Sequence, residues 1–208
     1  MMLAEWGGAR EHLSHSEKRM RPLIQKHGLP EIPLGRNRFQ VLGESIIYQQ
    51  LAGPAASTIC RRFKAVHGGR FPTAAQLSKT SPALLRSAGI SPQKMRYLKD
   101  LAARVEDGRL DLRHLHRMDD TTVISTVTEV LGIGEWTAQM FLIFCLGRPD
   151  VWPVGDLGVC KGVQKVWKLR DLPDRGIMDR IGRPLSPFRS AAAWYMWKSL
   201  EIEAPGIG

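Results

Sequence analysis

The sequence predicts an all-α fold, arranged as two helical subdomains with a central cleft and a helix-hairpin-helix motif. Three observations predict it. Apolar residues recur at intervals of three and four through most of the 208 residues. Helix-start signals recur as well, at Ser81-Pro82, Ser91-Pro92, Asp119-Asp120-Thr121 and Ser186-Pro187. No alternating run of four or more residues is bounded by hairpin turns, so strands are not expected.

Residues 1–38 read as an N-terminal helical segment belonging to the same fold, and residues 39–208 as its core, a single functional unit. In the first segment Leu13, Met20, Leu23 and Ile24 form a weak apolar stripe, ended by Pro30, Pro33 and Gly35. Phe39, Leu42, Ile46 and Ile47 then share one helix face. Gly53-Pro54 breaks that helix and starts the next, which ends at Gly68-Gly69. The break leaves Gln50, Leu51 and Ala52 at an exposed helix end. A short helix pair fills residues 72–90. Ser91-Pro92 opens a longer helix with Tyr97, Leu98, Leu101 and Val105 inward and Lys94, Arg96 and Lys99 outward. Asp119 caps the helix leading to Leu131. Further helices follow Asp156 and Ser186-Pro187, with a polar connection over Asp171–Arg183 and a tail, Ala-Pro-Gly-Ile-Gly, at the end.

Composition sets bounds on function. The formal net charge is +10 and the sequence pI about 10.0, which points to a polyanion such as nucleic acid. No apolar run approaches the ~20 residues of a membrane span, and the N-terminus lacks the basic and apolar regions of a secretory signal. Cys60, Cys145 and Cys160 are far apart and fit no zinc spacing, so free thiols in a reducing compartment are expected. None of the six histidines is read as a metal ligand.

The most informative stretch is Val130–Asp156, VLGIGEWTAQMFLIFCLGRPDVWPVGD. Gly132-Ile133-Gly134 permits a tight reversal, with Ile133 tucked inward. The helix after it, beginning near Gly134 or Glu135, opens with unpartnered N–H groups carrying partial positive charge. Two uses are open: an ordinary αα turn with glycine caps, or a seat for a phosphate on bare backbone. Trp136 and Met140, four apart, share a helix face that is either core or the wall of a pocket. Gly147 and Pro149 end the helix, and a short loop brings Asp156 to the start of the next one, as a helix cap, a catalytic acid, or both.

Taken together, Leu-Gly-Ile-Gly, Trp-Thr-Ala, the apolar helix and Pro-Val-Gly-Asp-Leu-Gly resemble the helix-hairpin-helix DNA glycosylase superfamily. The likeness is to its alkylbase branch, DNA-3-methyladenine glycosylase II, and covers roughly Phe39 to Trp197. It implies that Gly132, Ile133, Gly134 and Thr137 bind DNA backbone. Gln50 and Leu51, in a segment resembling Ile-x-x-Gln-Gln-Leu-Ser-x-x-Ala-Ala, form the wedge that fills the gap in the base stack. By the same likeness, Trp136 and Met140 would line the base pocket and Asp156 would be the catalytic carboxylate. The likeness also implies that the backbone carbonyls of Thr128, Leu131 and Ile133 hold a monovalent cation, Na⁺ or K⁺. No catalytic cofactor and no zinc are expected. The iron–sulfur members use four clustered cysteines that this chain lacks.

The function so implied is that of a monofunctional glycosylase excising alkylated purines, of the 3-methyladenine and 7-methylguanine type, in base excision repair. The expected partner is double-stranded DNA with alkylated bases. A monomer without membrane attachment is expected, cytoplasmic and nucleoid-associated in a bacterium or nuclear in a eukaryote. Bifunctional members carry a lysine where Trp136 stands, so lyase activity is not expected. Three positions depart from the family pattern. Leu185 precedes Ser186-Pro187-Phe188-Arg189-Ser190 where the family often has an aromatic. Ala52 stands where a larger or more polar residue is common, and Met140 where an aromatic can occur. A non-enzymatic helix-hairpin-helix binding module and a glycosylase for another lesion, such as a deaminated base, remain as alternatives.

Overall fold

The computed structural model describes residues 6–201. The Ala-Pro-Gly-Ile-Gly run lies outside the described residues, as do the first five. Twelve α-helices occur among the described residues: α1 (Ala9–Ser16), α2 (Met20–His27), α3 (Arg38–Tyr48), α4 (Gly53–Ala65), α5 (Ala74–Lys79), α6 (Pro82–Ser87), α7 (Pro92–Glu106), α8 (Asp120–Thr128), α9 (Glu135–Phe144), α10 (Leu157–Trp167), α11 (Arg175–Gly182) and α12 (Arg189–Ser199). No regular strand forms among those residues, and none of the helices is long and apolar enough to cross a membrane.

Capping chemistry fixes most helix starts. The side chains of Ser81, Ser91 and Asp119 accept hydrogen bonds from the backbone N–H groups of Leu84, Lys94 and Thr122. Thr73 and Gln76 form a reciprocal capping box at α5. The last helix starts later than Ser186-Pro187 suggests. A short 3₁₀ turn over Arg183–Leu185 comes first, and α12 begins at Arg189.

The chain divides into two compact units. Met1–Leu34 groups with Leu142–Gly206 in the first, and Gly35–Phe141 makes up the bulk of the second. The boundary drawn from sequence after residue 38 is therefore corrected. The N-terminal helices join the C-terminal third because their apolar stripe, Leu13, Met20 and Ile24, is buried there. Helix α12 packs on both α2 and α10. The Tyr195 hydroxyl donates to the Gly28 carbonyl at 2.6 Å, and the Trp6 indole N–H donates to the Gly147 carbonyl at 3.0 Å. The hairpin belongs to the second unit and Asp156 to the first. Helix α9 runs from one unit into the other, and from Thr137 to Phe144 all its residues are buried.

In the second unit α3 is the central element, packed against α4 and α7. It buries Phe39, Leu42, Ile46 and Ile47, the four residues that share its predicted face. Two basic residues behave differently from their sequence pattern. Lys94 and Lys99 on α7 do not point out to solvent. The Lys94 ammonium donates to the Ile47 carbonyl at 2.6 Å. That of Lys99 donates to the carbonyls of Leu77, Ser78 and Thr80 at 2.6–2.8 Å. Each lysine donates to carbonyls at or just beyond a helix C-terminus, where intrahelical donors run out. Burial lowers both of their pKa values.

Candidate active site and nucleic-acid interface

Asp156 caps α10 in the first unit. Its Oδ1 accepts the Val159 N–H at 2.8 Å and the Trp197 indole N–H at 2.9 Å. The residue is only 6% exposed. A buried carboxylate is costly unless hydrogen-bonded, and here a helix N-terminus and a buried indole meet that need. Asp156 is thus a helix cap, and capping does not exclude a functional role for it. Cys160, one turn further on, is buried, and its thiol pKa is raised by burial and by the nearby Asp156 charge.

The loop before Asp156 is held at several points. Arg189 donates to Asp150 through two nitrogens, Nε to Oδ1 at 2.7 Å and Nη2 to Oδ2 at 2.9 Å. The Ser186 hydroxyl donates to Asp150 Oδ2 at 2.8 Å. Burial opposes ionisation of Asp150, but Arg189 and Ser186 outweigh it and hold the carboxyl below its ordinary pKa. The Ser190 hydroxyl accepts the Val151 N–H and donates to the Arg148 carbonyl. The Trp152 indole donates to the Met178 carbonyl at 3.0 Å. The Ser-Pro-Phe-Arg-Ser element thus fixes the chain that delivers Asp156. Leu185, where an aromatic was absent, is fully buried in this unit. Sequence reasoning assigned no role to Asp150 or Trp197. The only available signal was Arg189-Ser190 within the quoted element.

The hairpin lies in the second unit. Gly132 has φ +80°, and an added Cβ would collide with the Tyr97 ring. The turn and the packing therefore both demand glycine at this position. Gly134 has nothing within 4 Å of an added Cβ and is the open position. Ile133 is buried, as predicted. The Leu131 N–H donates to Asp100 Oδ2 at 2.9 Å, and Arg104 braces the same oxygen at 3.0 Å. The Leu131 amide is thus engaged, and so is that of Ile133, which donates to the Val130 carbonyl at 3.1 Å. Thr137, in the first turn of α9, is largely buried.

Trp136 and Met140 do not share an environment. Trp136 is 44% exposed, whereas Met140 is 2% exposed and stands in the core. A nearly buried-all-round helix defeats the simple face argument, because either side of it can be interior. The cation donor set is chemically suitable, since backbone carbonyls supply the oxygen ligands that Na⁺ and K⁺ take. The carbonyls of Val127, Val130 and Gly132 already accept hydrogen bonds from Val130, Ile133 and Gln49. Those of Thr128, Leu131 and Ile133 are interspersed among them.

The turn that carries Gln50 and Leu51, the expected wedge, follows α3. Gln50 takes a left-handed conformation, φ +56°, and Leu51 beside it is 38% exposed. The Gln49 side-chain amide donates to the Gly132 carbonyl at 2.7 Å and ties this turn to the hairpin. Gln50, Leu51, Lys94, Tyr97, Gly132 and Trp136 are among the residues lining one open pocket of about 590 Å³. The structure therefore gathers the predicted wedge, hairpin and Trp136 around one hollow of the second unit.

The chain is similar to known proteins in sequence and in fold. DNA-3-methyladenine glycosylase 1 of Schizosaccharomyces pombe is 32% identical over 166 residues, covering 79% of this chain and 73% of that protein. The crystal structure of a DNA-3-methyladenine glycosidase from Bacillus halodurans superposes with a TM-score of 0.86 at 34% identity, covering 95% of this chain and 91% of that one. The S. pombe 3-methyladenine DNA glycosylase Mag1 in complex with abasic DNA gives 0.82 at 31% identity, covering 93% and 97%. The profile of the HhH-GPD superfamily of base excision DNA repair proteins matches residues 44–187, and the chain belongs to that family.

Proposed function

We propose that the protein is a monofunctional DNA glycosylase that flips and excises alkylated purines, of the 3-methyladenine and 7-methylguanine type. One observation carries this reading beyond family membership. Asp156 is buried at a helix N-terminus, with two N–H donors on one carboxylate oxygen. Departure of a purine leaves positive charge on the deoxyribose. A carboxylate fixed in advance stabilises that charge without reorganising as it develops. It also serves to orient or deprotonate the attacking water.

The remaining parts serve access to the base. A base must leave the stack before its glycosidic bond can be cut. Leu51 is an exposed apolar side chain on a turn tied to the hairpin, suited to filling the vacated step. Gly134 and the first amides of α9 suit a DNA phosphate. Trp136 is an exposed electron-rich ring, suited to the positive charge of a base alkylated at N3 or N7. The carbonyls of Thr128, Leu131 and Ile133 would hold a Na⁺ or K⁺ ion, which when bound supplies positive charge toward a phosphate. Double-stranded DNA carrying alkylated bases is the partner in this reading, with the protein acting as a monomer in the compartment that holds the genome.

The test is release of free base from methylated duplex DNA. Free 3-methyladenine and 7-methylguanine should appear while the abasic strand stays intact. Binding of that DNA with no base released would reduce the protein to a binding module. Release of a deaminated base alone would move it to another lesion class.

A further inference from the structure

We infer that Trp197 is a positioning residue for the reaction, acting through Asp156 and resting on the catalytic reading of that carboxylate. The Trp197 indole N–H reaches Asp156 Oδ1 at 2.9 Å, the same oxygen that accepts the Val159 N–H. Two donors on one oxygen lock the rotation of the carboxylate about its side-chain bonds. One of them, the helix amide, comes with any N-cap aspartate. The other comes from a helix distant in sequence and is not needed for capping.

The surroundings of Trp197 hold its ring in place. It is 1% exposed, and the Phe144 ring at the end of α9 packs on it, with centroids 5.8 Å apart. Gly158 on α10 makes the approach possible. A Cβ there would stand 2.8 Å from Trp197 Cδ1 and 3.1 Å from both Trp197 Nε1 and Asp156 Oδ1. One turn on, a Cβ at Gly162 would stand 2.5 Å from the Met196 carbonyl oxygen. Two glycines at i and i+4 thus let α10 and α12 approach closely enough for the indole to reach the carboxylate. A buried indole N–H needs an acceptor, and here Asp156 Oδ1 is that acceptor.

The experiment compares Trp197→Phe, Asp156→Asn and the double variant in single-turnover excision of 7-methylguanine. Binding to duplex DNA with an abasic analogue and thermal melting are measured alongside. Trp197→Phe should excise about tenfold more slowly, since a hydrogen bond to a charged group is lost, with abasic-DNA binding unchanged. In the Asp156→Asn background the same substitution should have almost no further effect, because the group it positions is gone. A wild-type rate for Trp197→Phe, or an equal slowing in both backgrounds, overturns the inference and leaves Trp197 a packing residue. Should Trp197→Phe fail to fold, Gly158→Ala retains every hydrogen-bonding group and presses hardest on the indole, its Cβ 2.8 Å from Trp197 Cδ1 against 3.1 Å from Asp156 Oδ1. It should slow excision too, and a wild-type rate there overturns the inference. If Asp156→Asn alone excises at the wild-type rate, the catalytic reading of Asp156 falls first, an outcome distinct from the others.

Discussion

At the scale of single residues, the functional groups separate by what surrounds them. Asp156→Asn keeps the size and much of the capping ability of aspartate, so a stability loss of about 1 kcal/mol or less is expected. The charge that stabilises the sugar cation is gone, and excision should fall by about 10²–10³. Single-turnover kinetics with 7-methylguanine checks this, and a variant with normal rate and normal binding would leave Asp156 a cap alone. Leu51→Ala removes an exposed apolar group and no charge, so melting temperature and non-specific affinity should barely move while excision slows. The opposite pattern, lost stability with an unchanged rate, would make Leu51 a packing residue. The two hairpin glycines should part company. Gly134→Asp sits in open space, so it should fold and bind every DNA sequence more weakly. Gly132→Ala meets both a positive φ and the Tyr97 ring, so it should chiefly lower the melting temperature.

At the scale of elements, helix ends and close helix contacts decide where the site residues stand. The turn after α3 is held by the Lys94 ammonium on the last turn of that helix and by the Gln49 amide on the hairpin. In the other unit, α10 and α12 meet at Gly162. Gly162→Ala would press a methyl group into the Met196 backbone, which cannot swing aside as a side chain end can. A cost of ~1–3 kcal/mol is expected, at about 2–4 °C of melting temperature per kcal/mol for a chain of this size. Calorimetry checks it, and an unchanged melting temperature would show that the two helices separate freely. The helix spans themselves are largely legible in the sequence, because caps such as Ser91 and Asp119 act locally. The buried ends of Lys94 and Lys99 are not legible. Which carbonyls a long basic side chain meets depends on helices far away in the chain.

At the scale of the whole molecule, the net charge of +10 governs encounter with DNA more than chemistry. Binding should weaken linearly on a log–log plot against salt, with a slope set by the number of phosphates neutralised. Salt-insensitive binding would contradict the phosphate contacts proposed for the hairpin. Strand cleavage at the abasic site needs an amine to form a Schiff base, and the family likeness puts Trp136 where bifunctional members carry a lysine. Borohydride should therefore trap no covalent protein–DNA adduct, and a trapped adduct would reassign the reaction type.

The sequence by itself determined the helical class, most helix starts, the hairpin at Gly132–Gly134 and the carboxylate at the head of α10. Each of these depends on neighbours within a few residues: a cap, a glycine turn, an apolar spacing. Tertiary structure decided the rest. It joined the N-terminal helices to the C-terminal third, put Met140 in the core while leaving Trp136 exposed, and gave Gly132 a packing reason through Tyr97. It also brought the indole of Trp197 to Asp156 across 41 residues of chain. Local periodicity shows that a helix has an apolar face. Only the packing of one helix against another shows what that face meets, and that contact turns a helix cap into a positioned carboxylate.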